Sequence, residues 1–310
     1  MKTVKEYQIP RAVGALLGLA VGDALGTTLE FKPKDSYTSL IDMVGGGPFG
    51  LKAGEWTDDT SMMLCLAESL IEKGCVDLDD QMQRYVRWYR HGENSCTGTC
   101  FDIGITVRTA LANYEKTGIP QSGSTSSMSA GNGSLMRVAS IALFFAHQSE
   151  EAAMEAGKLS SLTTHGEEHC VQACELMTLL LHRLLNRDHL SDRRAFLEST
   201  LADYLKCSTD CHPELRAIAE CEFFSKSRDS IKGTGYVVAS LEAALWCFIN
   251  SDCFEGGVLI AANLGNDADT TAAIFGQLAG AYYGSSVILS KWQSQLAWES
   301  QIRETAMWLI

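Results

Sequence analysis

An all-α domain of many helices is the fold class this chain predicts, on three observations. Apolar residues recur at three- and four-residue intervals through most of the length. Alternating apolar and polar stretches are too short for a sheet series, and no strand–helix–strand repeat is present. Nothing resembling an interdomain linker interrupts the 310 residues, so residues 1–310 read as one large domain.

The first helix is expected over 13–25. It is apolar but broken by Asp23 and shorter than a bilayer span, which favours a buried helix over a membrane segment. Gly14, Gly18, Gly22 and Gly26 recur every four residues along it. Each costs about 1 kcal/mol of helix propensity relative to alanine, so a second helix must pack closely on that face. The run Gly45-Gly46-Gly47-Pro48-Phe49-Gly50 reads as an ordered turn, and periodic segments follow at 61–73, 78–90 and 103–114. The stretch 122–127 reads as a mobile loop with a structured end at Gly131-Asn132-Gly133-Ser134. Helices are then expected over 135–146, 151–161, 169–185, 193–205, 213–224, 236–250, 254–264, 270–283 and 290–309. His169 and His182 fall on these as surface or packing residues.

Composition narrows the function. A hydrophobic share of 46% with 20% charged residues suits a globular chain with ample core. A formal charge of −13 opposes long contact with a nucleic-acid backbone, although helix N-termini and bound cations could still hold a small phosphate ligand. Eleven cysteines, an odd count in a large chain without a secretory leader pattern, read as reduced thiols of a cytoplasmic protein. The pairs Cys96/Cys100, Cys170/Cys174 and Cys207/Cys211 share a helical offset but close no four-ligand zinc pattern.

Two acidic runs carry the chemistry. Thr57-Asp58-Asp59-Thr60 and Asp267-Ala268-Asp269-Thr270-Thr271 each precede an expected helix. Threonine and aspartate are ordinary N-caps, and a cap is one reading of either run. A cap uses one side-chain oxygen, however, and a surplus of adjacent carboxylates is costly unless a cation intervenes. If folding brings the runs together, their hard oxygens suit two Mg²⁺ or Mn²⁺ ions and a dinuclear hydrolytic centre.

Several motifs occur in order with these runs: Gly22-Asp23-Ala24-Leu25-Gly26 with Glu30, Gly54-Glu55-Trp56-Thr57-Asp58-Asp59-Thr60, Gly131-Asn132-Gly133-Ser134-Leu135-Met136-Arg137, Thr164-His165, and Gly265-Asn266-Asp267-Ala268-Asp269-Thr270. Together they resemble the ADP-ribosylglycohydrolase family over roughly residues 11–284. The resemblance implies an orthogonal multi-helix bundle with two Mg²⁺ (or Mn²⁺) ions in a cleft that binds ADP-ribose. It places the metal ligands on Thr57, Asp58, Asp59, Asp267, Asp269 and Thr270. The activity implied is hydrolysis of ADP-ribose from a modified protein acceptor, most plausibly arginine, with ADP-ribose as product. A non-catalytic ADP-ribose-binding or structural member is the alternative.

Further roles follow from the same resemblance. Glu30 matches a gating or acid/base glutamate, against a plain solvent-facing one. Asp102 matches a rival base, against an N-cap of the helix near Ile103. Ser129, Gly131, Asn132 and Gly133 look like the phosphate- and ribose-contacting loop, where glycine lets backbone N–H groups approach a pyrophosphate. Met128 and Ala130 depart from a form of that loop with glycine and tyrosine there, so Tyr236 is the substitute for adenine stacking, against a core tyrosine. His165 corresponds to a histidine near the diphosphate or ribose, neutral and with one nitrogen held by a neighbour. Asp23 and Asn266 are expected to orient the metal ligands.

Overall fold

A computed structural model describes residues 4–188, 192–208 and 210–310. Among them are fourteen α-helices and no sheet, only three isolated bridges. In chain order the helices are α1 Gln8–Gly26, α2 Asp58–Lys73, α3 Leu78–His91, α4 Ile105–Thr117, α5 Ala139–Phe144, α6 Glu150–Leu162, α7 Glu168–Asn186, α8 Arg193–Cys207, α9 Pro213–Ala219, α10 Val237–Ile249, α11 Phe254–Ala262, α12 Ala268–Tyr283, α13 Ser290–Gln295 and α14 Glu299–Leu309.

The centre of the molecule is the pair α1 and α12. A Cβ built on Gly14, Gly18, Gly22 or Gly26 would lie 2.2–2.3 Å from the carbonyl oxygens of Gly280, Gly276, Ala272 and Ala268, respectively. The helices therefore run antiparallel with backbone against backbone, and the expected small-residue face has found its partner. With its following 3₁₀ turn, α1 spans Gln8–Leu29 and is long and apolar enough by composition to cross a bilayer, contrary to the shorter expected segment. Its apolar character is accounted for by burial, since 94% of the most apolar window lies inside the fold.

Three expected helices differ. Of 135–146 only Ala139–Phe144 is α-helical, because buried Arg137 turns into the molecule to reach Gly133 O, Thr163 Oγ1 and Thr164 Oγ1. The segment 213–224 stops at Ala219, with Cys221 in the left-handed region before a 3₁₀ turn. The segment 290–309 breaks at Trp298, also left-handed at φ 58°, whose ring packs edge-on against buried Trp56 at 5.3 Å. Tertiary packing overrides a continuous helical pattern there.

A second, smaller core of Met62, Met82, Tyr85, Trp88, Val107, Leu111 and Met136 seats α3 and α4 beside α2. The stretch 122–127 is tied down by bonds from Gly123 N to Leu162 O and Gly166 N to Ser124 O, rather than left open as expected.

Candidate active site

Building from α1 outward, Asp23 is fully buried and accepts four hydrogen bonds, from Thr57 N (2.9 Å), Thr57 Oγ1 (2.9 Å), Thr60 N (3.0 Å) and Thr60 Oγ1 (2.7 Å). Burial pushes its carboxyl up to about 6 against the pull of those bonds. Asp23 thus satisfies the first-turn N–H of Thr60 from across the fold. Thr57 occupies the N-cap position of α2 and Asp267 that of α12, yet neither side chain makes a capping bond. The capping reading of both runs falls, and their oxygens are left for something else.

The two runs meet. Thr57 Oγ1 lies 3.3 Å from Asp59 Oδ2 and 3.5 Å from Asp269 Oδ2, and Thr270 Oγ1 lies 3.4 Å from Asp59 Oδ2. Thr57 has a single hydroxyl hydrogen, used best at 2.9 Å on Asp23. Its approaches to Asp59 and Asp269 therefore set oxygen against oxygen. Asp59 Oδ1 is sealed from solvent without a hydrogen-bond partner, an expensive state for a carboxylate. Single ligand atoms of Asp23, Asp59 and Asp269 fall within 4.8 Å of one another, as do those of Glu30, Asp267 and Asp269. Burial, reinforced by neighbouring carboxylates, drives Asp58 and Asp59 well above the usual carboxylate range and Asp269 to about 7. This donor set fits hard divalent cations, which would relieve the repulsion and engage the orphaned oxygen.

Beside the cluster opens a cavity of about 690 Å³, ample for a nucleotide-sized ligand. Five carboxylates line it, from Glu30, Asp58, Asp102, Asp267 and Asp269, and among the described residues no lysine or arginine does. Glu30 is buried rather than solvent-facing, and its Oε2 accepts from Ala268 N at 2.9 Å, so it supplies the α12 cap that Asp267 does not. Burial and then Asp269 push its carboxyl far up. Asp102 is not an N-cap, since α4 starts at Ile105 behind Gly104. Burial and then Asp58 raise it to about 11. Three lining residues other than glycine, Phe31, Asp102 and Asn266, hold left-handed backbone at φ 58–61°. Strain of this kind gathers at functional sites. Phe31 N donates to Asn266 O and Asn266 N to Lys32 O, each at 2.7 Å, which ties the Glu30 segment to the start of α12.

Gly131, Asn132, Gly133 and His165 line the same cavity. A Cβ on Gly133 would meet His165 Cε1 at 2.8 Å, so the glycine makes room for the imidazole. Burial and the Arg137 charge lower His165 to about 3, leaving it neutral, and Thr164 Oγ1 holds its Nδ1 at 2.9 Å. Asn132 faces the carboxylate cluster, donating from Nδ2 to Asp267 Oδ2 at 2.7 Å. Ser129 and Tyr236 are not among the lining residues. The Ser129 hydroxyl turns back onto Ser124 and Ser126, and the Tyr236 phenol donates to Glu214 beside His169. Sequence reasoning missed Thr234 and Gly235 in the wall; the signal available was the run Gly233-Thr234-Gly235, which meets Asp267 N and Asn132 N through carbonyls of Gly233 and Gly235.

Comparison with known proteins gives the family. The family model described as ADP-ribosylglycohydrolase matches residues 5–310. An ADP-ribosylarginine hydrolase Tri1 of Pseudomonas putida (strain GB-1) is 46% identical over 97% of this chain and 78% of its own. The ADP-ribosyl-[dinitrogen reductase] glycohydrolase of Rhodospirillum rubrum is 32% identical over 92% and 90%. A solved structure titled ADP-ribosylglycohydrolase-related protein complex superposes with a TM-score of 0.86 at 39% identity, covering 98% of each chain.

Proposed function

The chain belongs to the ADP-ribosylglycohydrolase family, and from that premise we propose that it hydrolyses the bond between ADP-ribose and an arginine side chain of a modified protein, releasing ADP-ribose. One observation carries the reading: carboxylates from two runs more than two hundred residues apart converge beside a cavity that no cationic side chain lines among the described residues. The arginine linkage is supported by the relatives named ADP-ribosylarginine hydrolase, at 46% and 43% identity. Eleven free cysteines fit a reducing compartment such as the cytoplasm, and a net charge of −13 fits a protein-linked substrate better than a nucleic-acid backbone.

Two divalent cations, Mg²⁺ or Mn²⁺, held by Thr57, Asp58, Asp59, Asp267, Asp269 and Thr270, would supply Lewis acidity and a water of lowered pKa. Around them the chain's own groups act by position. Asp23 fixes Thr57 and Thr60, and Asn132 fixes Asp267, so the carboxylates need no rearrangement during reaction. Gly131 and Gly133 let the His165 ring seat against the loop, and neutral His165 would offer Nε2 to a diphosphate while Thr164 holds Nδ1. In the reaction the anomeric C–N bond breaks, water gives its oxygen and one hydrogen to the sugar, and its other hydrogen goes to the guanidine nitrogen. Glu30 has Oε2 committed to the Ala268 N–H, which suits a positioning role at the mouth of α12. Asp102 has no such backbone task, and we assign it the proton transfer to the leaving nitrogen.

The test is incubation of the chain with proteins carrying arginine- or serine-linked ADP-ribose, with Mg²⁺, Mn²⁺ or chelator, followed by mass spectrometry. Intact ADP-ribose should appear from the arginine linkage only with a divalent cation. AMP or phosphate as product, turnover unaffected by chelation, or ADP-ribose binding without turnover would each overturn the proposal.

A further inference from the structure

Behind the cavity wall lies a second group of ligating side chains that the reaction does not use. His169 at the start of α7, and His212 and Glu214 at the start of α9, bring one ligand atom each within 4.8 Å. The His169 and His212 rings are packed with centroids 3.6 Å apart. Glu167 fixes the His169 ring from behind, its Oε1 2.7 Å from Nδ1 while its Oε2 accepts from His169 N at 2.8 Å. Tyr236 fixes the other side, its phenol donating to Glu214 Oε2. A carboxylate behind a histidine and a donor behind a carboxylate are the supports that hold metal ligands in place.

The Nε2 edge of His169 is the telling feature. With Nδ1–H directed at Glu167, Nε2 turns toward Glu214 Oε2 at the ion-pair distance of 3.3 Å, yet Nε2 is sealed from solvent and finds no aligned hydrogen bond among the described residues. A lone pair there would face a carboxylate oxygen, which is costly in a buried place unless a cation stands between them. The separation itself suggests the remedy. Two ligands about 2.0–2.1 Å from a tetrahedral zinc ion stand roughly 3.3–3.4 Å apart. Among the described residues the His212 ring has one hydrogen-bond contact, a long one from Glu214 N to Nδ1 at 3.4 Å, and Glu214 is 55% exposed, which gives an ion a way in.

We propose that His169, His212 and Glu214 form a binding site for one four-coordinate divalent cation of the zinc class, separate from the carboxylate cluster and completed by a water. Nitrogen ligands with a single carboxylate favour such an ion over Mg²⁺, which takes oxygen in octahedral shells. The site would clip α7 to α9, and the neighbouring Cys170 thiol touches Gly131 O at 3.2 Å, so the clip braces the glycine loop of the cavity.

Cobalt reports the site directly. The full chain, kept reduced and saturated with Mg²⁺ to fill the carboxylate cluster, is titrated with Co²⁺. One equivalent should give the intense visible bands of a four-coordinate ion, without near-ultraviolet thiolate charge transfer, and Zn²⁺ should displace it. His212→Asn preserves the N-cap of α9 and should abolish the bands, Glu214→Gln should do likewise, and Glu167→Gln should weaken binding about 10–100-fold. Zn²⁺ should raise the melting temperature of the parent chain but not of His212→Asn. Only the faint spectrum of a six-coordinate ion, a thiolate signature, or unchanged bands in folded His212→Asn and Glu214→Gln would each overturn the proposal.

Discussion

Asp59 is where the chemistry of single residues is most exposed to test. Its Oδ1 is buried without a partner and its Oδ2 faces two threonine hydroxyls. In chelator, Asp59→Asn should raise the melting temperature by a few degrees, because one buried like charge is gone. The same variant should lose most of the stabilisation that Mn²⁺ gives the parent, and its turnover. Scanning calorimetry with and without Mn²⁺ reads both, and an unchanged Mn²⁺ shift would remove Asp59 from the ligand set. His165 offers a pH test. Its folded value of about 3 lies below the unfolded value near 6.5, so between these the unfolded chain binds a proton that the folded chain does not. Stability from this group is full above 6.5 and declines as pH falls toward 3. From pH 6.5 to 5 the loss amounts to about 2 kcal/mol, and His165→Asn should flatten it in denaturant titrations at the two pH values. At this scale the acidic runs were legible in the sequence because they hold more carboxylates than a cap can use. The role of Asp23 was visible only as adjacency, and nothing local to Tyr236 tells that its phenol turns to Glu214.

Among the elements, the seam of α1 and α12 sets the geometry of the site. Gly22→Val would drive a Cβ to 2.2 Å from the Ala272 carbonyl oxygen, where backbone cannot yield as a side-chain tip can. Destabilisation of about 1–3 kcal/mol or more is expected despite the intrinsic helix cost of glycine. Denaturant titration measures it, and a neutral result would mean the seam opens easily. The four-residue glycine spacing announced a close helix partner, but not which helix. The breaks at Arg137 and Trp298 were invisible to periodicity, because each is imposed by a partner distant in sequence: Thr163 and Thr164 for the guanidinium, and Trp56 for the indole.

Taken whole, the molecule is acidic outside and at its cavity, with a net charge of −13 and five carboxylates lining the wall. Such a field opposes a ligand bearing a diphosphate, and bound cations would offset it. Free ADP-ribose should therefore bind at least 100-fold more weakly in chelator than in Mg²⁺ or Mn²⁺ by isothermal titration. Equal affinity in both would make the acidic cavity something other than an ADP-ribose site. The all-helical architecture was legible from the pattern of apolar residues. The cavity was not, since its walls come from seven separate stretches that only the folded chain assembles.

Backbone laid on backbone leaves α1 no freedom to slip, and that fixes more than packing. One residue inserted between Gly14 and Asp23 would rotate everything beyond it by about 100° around the helix axis. Either the glycines would leave the seam, or the Asp23 carboxylate would swing away from Thr57 and Thr60 and free the start of α2. Length between those positions is therefore held as tightly as residue identity, and a lineage that tolerates many substitutions along α1 should tolerate no single-residue insertion or deletion there.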